Sequence, residues 1–414
     1  MERRSSDGVP QRTGSGRLVA GILLWSLVAL FVAGHIYLNV VTLLGNALTD
    51  FHVYHEALGR AARGETVYDL GSPMPFLYPP FFLIVLWPMG WLSEPTAMTV
   101  WLYLQNLFLV VSLVSLAGVF RPRSGSLVGG AIILFAGFSP VMLNNLYGQA
   151  NLLYLAVLSM FAWAYLRALE EPEGAPGLDI AAALALSVAI SIRILPAALL
   201  ALPLLQRRYA MALWTAGFVA VEALAAGALV GFATEWDYFT SYVFHLRGLE
   251  NMREISLWAL ARRVAPASPI GTLIYAVAVA AGLGVFATQV CQPMRRCAPS
   301  ASLHVAFLVI SMVLFAPLLE YHHYAILLAP YTLILGDLLQ RGRLTLTSAL
   351  PVLLSWAIVS GANQLSHFQF GSIAFAALAG AALIWGYCIR LIAENPAGPP
   401  GRSPLETPTS PQPR

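Results

Sequence analysis

Asp50 stands just beyond a long apolar run, in the stretch Leu48-Thr49-Asp50-Phe51-His52-Val53-Tyr54. A carboxylate at the mouth of a membrane helix is costly to place and is usually kept for function. It could act as a general base toward a hydroxyl within hydrogen-bond reach, or it could simply cap the helix that follows. Arg193 lies between two apolar segments, in Ser191-Ile192-Arg193-Ile194-Leu195-Pro196. Its guanidinium could snorkel to lipid headgroups or hold a phosphate through paired, charge-assisted bonds. The turn Glu320-Tyr321-His322-His323-Tyr324 supplies two imidazoles. Neighbours on a helix point in different directions, so one metal ion rarely takes both. The better fit is one histidine bonding a phosphate or sugar while the other packs. Tyr147-Gly148-Gln149-Ala150-Asn151 is either a tight turn or a polar lip whose Gln149 and Asn151 hydrogen-bond a sugar. Asn251 opens a further polar stretch running to Ser256, which a solvated amphipathic helix would explain equally well.

The elements that must position these groups are set by composition. The chain has 414 residues, of which 58% are hydrophobic and 10% charged. Soluble domains carry about a quarter charged residues. Apolar runs of about 20 residues recur from end to end, so the expected fold is all-α and polytopic, with about 12 membrane helices. The expected spans are about 18–44, 96–120, 126–144, 150–169, 178–192, 194–206, 209–232, 268–290, 301–319, 324–340, 345–361 and 370–392. The short piece at 194–206 holds Pro196 and Pro203 and is expected to be broken or re-entrant, because its backbone needs neighbours to satisfy it. Alternating ten-residue strands are absent, which argues against a barrel.

Sidedness follows from arginine. All 23 basic residues are Arg. If residues 77–92, with Tyr78-Pro79-Pro80, form an interfacial or re-entrant helix rather than a span, 16 of the 23 arginines fall inside, as the positive-inside rule requires. Both termini are then cytoplasmic. The outer face holds two loops, about 45–95 and 233–267, and the first should carry a juxtamembrane helix with Phe51, Tyr54, Ala57, Leu58 and Ala61 on one side. Residues 1–16 and the Pro-rich 395–414 are expected to be disordered cytoplasmic tails around a single membrane domain at 17–394. The basic N-terminus precedes an anchor helix rather than a cleaved signal. Cys291, Cys297 and Cys388 show no metal-ligand or disulfide pattern. Glu222 is the one charge placed deep in a span. No P-loop, nucleophile elbow or dinucleotide fingerprint is present. Neither a metal, a cofactor nor a nucleic-acid partner is expected.

Taken in order, Asp50-Phe51 with Tyr54 and Gly64, Tyr68, Tyr78-Pro79-Pro80, Tyr147-Gly148-Gln149-Ala150-Asn151, Arg193 with Pro196, Asn251 with Ser256 and Arg262, and Pro317 with His322-His323 resemble glycosyltransferase family 87 (DUF2029). That family is a branch of the GT-C superfamily of membrane glycosyltransferases. Arg193 stands where many relatives carry Lys, and four residues separate Asn251 from Ser256 where many relatives have Asn-Gln-Ser. The resemblance implies transfer of a sugar, most often mannose, from a polyprenyl-phosphate donor to a glycolipid or envelope-glycan acceptor on the outer face of the cell membrane. It implies inversion without a nucleotide, with Asp50 as base and Arg193, His322 and His323 at the donor phosphate. Tyr54, Tyr78, Gln149, Asn151 and Asn251 would then contact sugar or acceptor. An arabinofuranose donor is the alternative within the class. A lipid or solute transporter is the alternative outside it, and would place charges near the bilayer midplane with repeat symmetry.

Overall fold

The computed structural model describes residues 14–45, 48–69, 71–72, 74–121, 125–171, 175–245, 254–266, 269–295, 301–366 and 375–394. Residues 1–13 and 395–414, Asn251 and Cys297 lie outside these residues, whereas residues 14–16 of the expected N-terminal tail belong to the first helix. Among the described residues every regular element is helical.

The chain opens with α1 (Gly14–Leu44), which presents Leu23, Leu30, Ile36 and Leu44 outward. An apolar helix exposed along its length suits a lipid surround. α2 (Thr49–Ala62) buries Phe51, Tyr54, Ala57 and Leu58 on one face. After an extended stretch come α3 (Phe81–Leu86) and a 3₁₀ turn at Trp87–Trp91. Together they span 11 residues, about half of what a bilayer crossing needs. α4 (Glu94–Phe120) starts at an extended Ser93 followed by Glu94-Pro95, and it stops where Arg121 takes a left-handed φ of 46°. Pro in the first turn costs no hydrogen bond there.

α5 (Gly125–Ala136) and α6 (Ser139–Tyr147) form one rod bent by 48°. α7 (Asn151–Glu170) packs between α4 and α8 (Pro176–Ile192). It is the most enclosed of the long helices, with most of its length buried where α1 leaves most of its length exposed. Beyond α8 the chain breaks at Arg193 into a 3₁₀ stretch (Leu195–Leu200) and α9 (Ala201–Leu205), as Pro196 and Pro203 lead one to expect. α10 (Tyr209–Val230) returns along α8.

Next come α11 (Phe232–Asp237), a π turn at Tyr238–Tyr242 and α12 (Val243–His245), then α13 (Leu257–Val264). α14 (Pro269–Val285) continues through a second π turn into α15 (Cys291–Arg295). α16 (Ala301–Leu314) ends five residues earlier than the apolar run suggests, because the chain leaves the helix before Pro317. A 3₁₀ turn at Tyr321–Leu327 leads into α17 (Leu328–Gln340), and α18 (Leu346–Ser366) and α19 (Ala376–Glu394) close the bundle.

The expected count of about 12 spans is not reached on length. Six helical runs among the described residues are long and apolar enough to cross a membrane, or seven with the bent α5–α6 pair. The other apolar helical stretches, including Leu346–Ala362 of α18, are 10–17 residues long. At 1.5 Å per residue they fall short of a hydrocarbon core of about 30 Å unless flanking turns extend them.

Arginine ion pairs occur toward both ends of the bundle, with Arg60–Glu56 and Arg63–Glu65 at 2.7 Å on α2 and just after it. At one end Arg208 pairs with Asp179 at 2.7 Å, Arg341 with Asp337 at 2.7 Å, Arg343 with Glu394 at 2.7 Å and Arg390 with Glu394 at 2.6 Å. At the other end meet the start of α2, the α6–α7 turn, the end of α8 and the turn before α17.

One contact fixes that second end. Gly148 caps α6 with a φ of 70°, and a Cβ there would lie 2.8 Å from Leu48 Cδ2 and 3.0 Å from Phe51 Cβ. Trp101 Nε1 donates to the Gly148 carbonyl at 2.7 Å. Only glycine allows the α6–α7 turn to lie this close to α2. Gly148→Ala should therefore cost about 2–4 kcal/mol, from left-handed strain and overpacking together. A drop in detergent melting temperature measures it, and unchanged melting would show that the approach is not tight.

Candidate active site

The close approach at Gly148 sets Gln149 against the first turn of α2. Gln149 Nε2 donates to Asp50 Oδ2 in a short contact. The same amide accepts through Oε1 from Tyr54 OH at 3.0 Å and from Tyr78 OH at 2.9 Å. This amide orientation follows from chemistry, since a carboxylate can only accept while a phenol can donate. Arg193 Nη2 then donates to Tyr78 OH at 3.1 Å. A continuous chain thus runs from carboxylate through amide and phenol to guanidinium, joining α2, the extended segment before α3, the α6–α7 turn and the end of α8.

Each member is held from behind. Asp50 sits in the first turn of α2, where the helix dipole favours negative charge. The Tyr54 ring meets Tyr78, Phe82, Phe76 and Trp101 edge-on, with centroids 5.2–6.5 Å apart. Burial first, then the neighbouring Tyr78 and Asp50, push the Tyr54 phenol well above its ordinary value, so it stays protonated. Arg193 is extended (φ −150°) at the break after α8, with its backbone N–H still bonded to Ala189. Its guanidinium lies 5.3 Å from the Tyr78 ring centre and 5.5 Å from that of Tyr154, which suits cation–π attraction. No carboxylate among the described residues makes an ion pair with it.

The histidines occupy the 3₁₀ turn before α17. His323 Nδ1 accepts the Glu320 backbone N–H at 2.8 Å. In the neutral ring this places the proton on Nε2, making that nitrogen a donor. Burial first, then the charges of Arg193 and His322, hold His323 well below the usual imidazole range. His322 is only 1% exposed, with its ring against Tyr147 and Nδ1 3.7 Å from Glu320 Oε2.

Three other polar residues singled out from the sequence sit elsewhere in the framework. Asn151 is fully buried, and both its backbone N–H and its Nδ2 donate to Asn144 Oδ1 at 3.1 Å, closing the α6–α7 turn. Glu222 accepts from Ser187 at 2.8 Å and Ser191 at 2.6 Å, so its partners are hydroxyls one turn apart on α8. Ser256 caps α13, accepting from Ala259 N at 3.0 Å while donating to the Pro317 carbonyl at 2.9 Å. Among the described residues no three His, Cys, Asp or Glu side chains converge as a metal site would require.

Sequence reasoning missed Tyr154 beneath Arg193. It also missed a polar belt at the same end. His35 bonds Asn106 at 2.8 Å, Asn39 bonds Asn106 at 3.1 Å, and Asn145 bonds Asn39 at 2.9 Å, tying α1, α4 and α6 together. Polar residues inside otherwise apolar runs were the available signal.

Helices of this length and hydropathy make the chain a multi-pass membrane protein, with its hydrogen-bonded polar chain at one end of the bundle. Its family follows from sequence. The model of glycosyltransferase family 87 matches residues 76–319, more than half of the chain, and the protein belongs to that family. The match includes Tyr78, Gln149 and Arg193; Asp50 and Tyr54 precede it and His322-His323 follow it. A search of curated proteins gives no match. Among solved structures the chain is similar to ArnT from Cupriavidus metallidurans. The apo form is 14% identical at a TM-score of 0.42, covering 90% of this chain and 77% of ArnT. The form bound to undecaprenyl phosphate is 16% identical at 0.38, covering 89% and 77%.

His323 gives a pH dependence with a definite sign. The unfolded chain takes up a proton near 6.5, while the folded ring resists one. Stability is therefore full above 6.5 and is lost as pH falls from there toward the depressed folded value. Melting temperature should drop more steeply below pH 6.5 in the parent protein than in His323→Gln. Equal slopes would show that the buried ring is not the cause.

Proposed function

We propose that this glycosyltransferase moves a sugar, most simply mannose, from a polyprenyl-phosphate donor to a glycolipid or cell-envelope glycan at the outer face of the cell membrane. The observation that carries the reading is the chain Asp50–Gln149–Tyr78–Arg193, which ties a carboxylate to a guanidinium that has no ion pair among the described residues. A half-buried cation without a counter-charge is costly unless an anion visits it. A lipid-linked phosphate meets that need at a bilayer interface. The arginine count, 16 of 23 on the opposite side by the topology drawn from sequence, supports a cytoplasmic placement there, with the site outside.

The step is a single displacement with inversion. Asp50, oriented by Gln149, takes the proton of the acceptor hydroxyl. That oxygen bonds to the anomeric carbon while the carbon–oxygen bond to phosphate breaks, and the electron pair leaves with the phosphate. Arg193 and the Nε2–H of His323 stabilise the growing negative charge. His322, packed beneath, supports His323. Tyr54, Tyr78 and Gln149 surround the sugar, and Asn151 acts through the turn that presents Gln149. Asn251 remains a candidate for the acceptor side. The lipid-linked sugar is a substrate, and the reaction so written consumes no cofactor.

Purified protein supplied with polyprenyl-phosphate mannose or polyprenyl-phosphate arabinose should consume the first. Consumption of the arabinose donor alone would replace the sugar while leaving the site intact. Asp50→Asn should lower transfer by about 10²- to 10⁴-fold, the usual worth of a general base, with melting unchanged. Arg193→Ala should raise the donor KM by about tenfold or more. Full transfer by Asp50→Asn would end the base assignment.

A further inference from the structure

Three tyrosine hydroxyls converge on three consecutive backbone carbonyls. Tyr242 OH donates to Phe76 O at 2.9 Å, Tyr238 OH to Leu77 O at 3.1 Å, and Tyr68 OH to Tyr78 O at 2.9 Å. Residues 76–78 belong to no helix or sheet, so no ladder satisfies these carbonyls. The phenols come from two separate parts of the chain. Tyr68 lies just upstream, whereas Tyr238 and Tyr242 bound the π turn between α11 and α12, more than 150 residues away. That turn continues α11, which leaves α10 at Gly231 with its φ of 91°. The wider π turn sets both tyrosines on one buried face, at 3% and 7% exposure, while Trp236, Phe239 and Phe244 point outward. The Tyr68 ring lies tilted against both, with ring centres 5.0 Å from Tyr238 and 4.7 Å from Tyr242. π turns inserted in helices are often found at functional sites.

We infer that Tyr68, Tyr238 and Tyr242 are positioning residues that clamp the 76–78 backbone and so hold the Tyr78 phenol between Gln149 and Arg193. Packing alone does not ask for hydroxyls here, since phenylalanine would fill the same space. The hydroxyls are distinguished by where they point: at the peptide run that ends in Tyr78. Burial holds the Tyr238 phenol above its ordinary value, and burial with Asp69 pushes Tyr242 up to about 12, so both remain donors across the working pH range. The clamp makes the π turn of the second outer loop part of the site without touching substrate. Its effect on catalysis rests on the proposed role of Tyr78 beside the donor phosphate.

The test uses the full-length protein with 3-fluorotyrosine placed at position 78, read by ¹⁹F NMR, alongside transfer kinetics. Tyr238→Phe with Tyr242→Phe should shift or broaden the label. The pair should also raise the donor KM about tenfold, as loss of these hydrogen bonds implies, while kcat changes less than twofold. Tyr103→Phe, on the exposed face of α4, should change neither. A label that stays put in the double variant overturns the clamp, whatever happens to activity. A label that moves with wild-type kinetics upholds the clamp and counts instead against Tyr78 serving the donor. A lowered melting temperature with label and KM both unchanged shows the tyrosines to be structural and sinks the inference.

Discussion

The site end of this protein depends on one amide. Gln149 donates to a carboxylate on one side and accepts from two phenols on the other. A carboxamide does both at once without carrying charge, with donor and acceptor on opposite arms of one rigid plane. A glutamate there would face Asp50 with like charge, and a lysine would leave the phenols without an acceptor. Because the amide is fixed, the carboxylate, the phenols and, through Tyr78, the guanidinium are fixed relative to each other. In a low-dielectric setting such a network is costly when incomplete and rigid when complete.

The rest of the fold serves to bring that amide to its place. α7 is the enclosed axis of the bundle, and the turn carrying Gln149 immediately precedes it. Glycine at 148 lets the turn touch α2, Trp101 bonds the glycine carbonyl, and Asn144 ties the turn to Asn151. The apolar helices outside this axis supply shielding more than chemistry. Their outward leucines and valines face lipid and give little drive for helix association in that medium. The polar belt through Asn39, Asn106 and Asn145 ties α1 to α4 and α6, beside its apolar packing along α5.

Much of this was legible in the sequence. An all-helical membrane fold followed from composition, and the break at Arg193 followed from Pro196. Asp50, Gln149 and Arg193 stood out as polar groups at the ends of apolar runs. What the sequence left open was direction. Gln149 and Asn151 lie two residues apart and looked equivalent, yet one turns to Asp50 and the other into the core, because the turn at Gly148 rotates them to opposite sides. His322 and His323 separate for the same kind of reason, one packing on Tyr147 and one capped by Glu320. The span count was legible only as a number of apolar runs, since helix length depends on where loops such as 315–320 leave the helix. Long-range pairings such as Tyr242 with Phe76 leave no trace in local periodicity.

The guanidinium of Arg193, without an ion pair among the described residues, has a further consequence. Held by two aromatic faces and one phenol, it favours the ligand that brings more negative charge. On the proposed reaction the incoming phosphodiester carries one charge, whereas the spent carrier, a phosphomonoester, carries up to two. The used lipid would then cling to the pocket longer than the loaded one. Turnover in the membrane would be governed by how quickly the empty carrier is drawn away, so the enzyme would slow whenever carrier recycling slows.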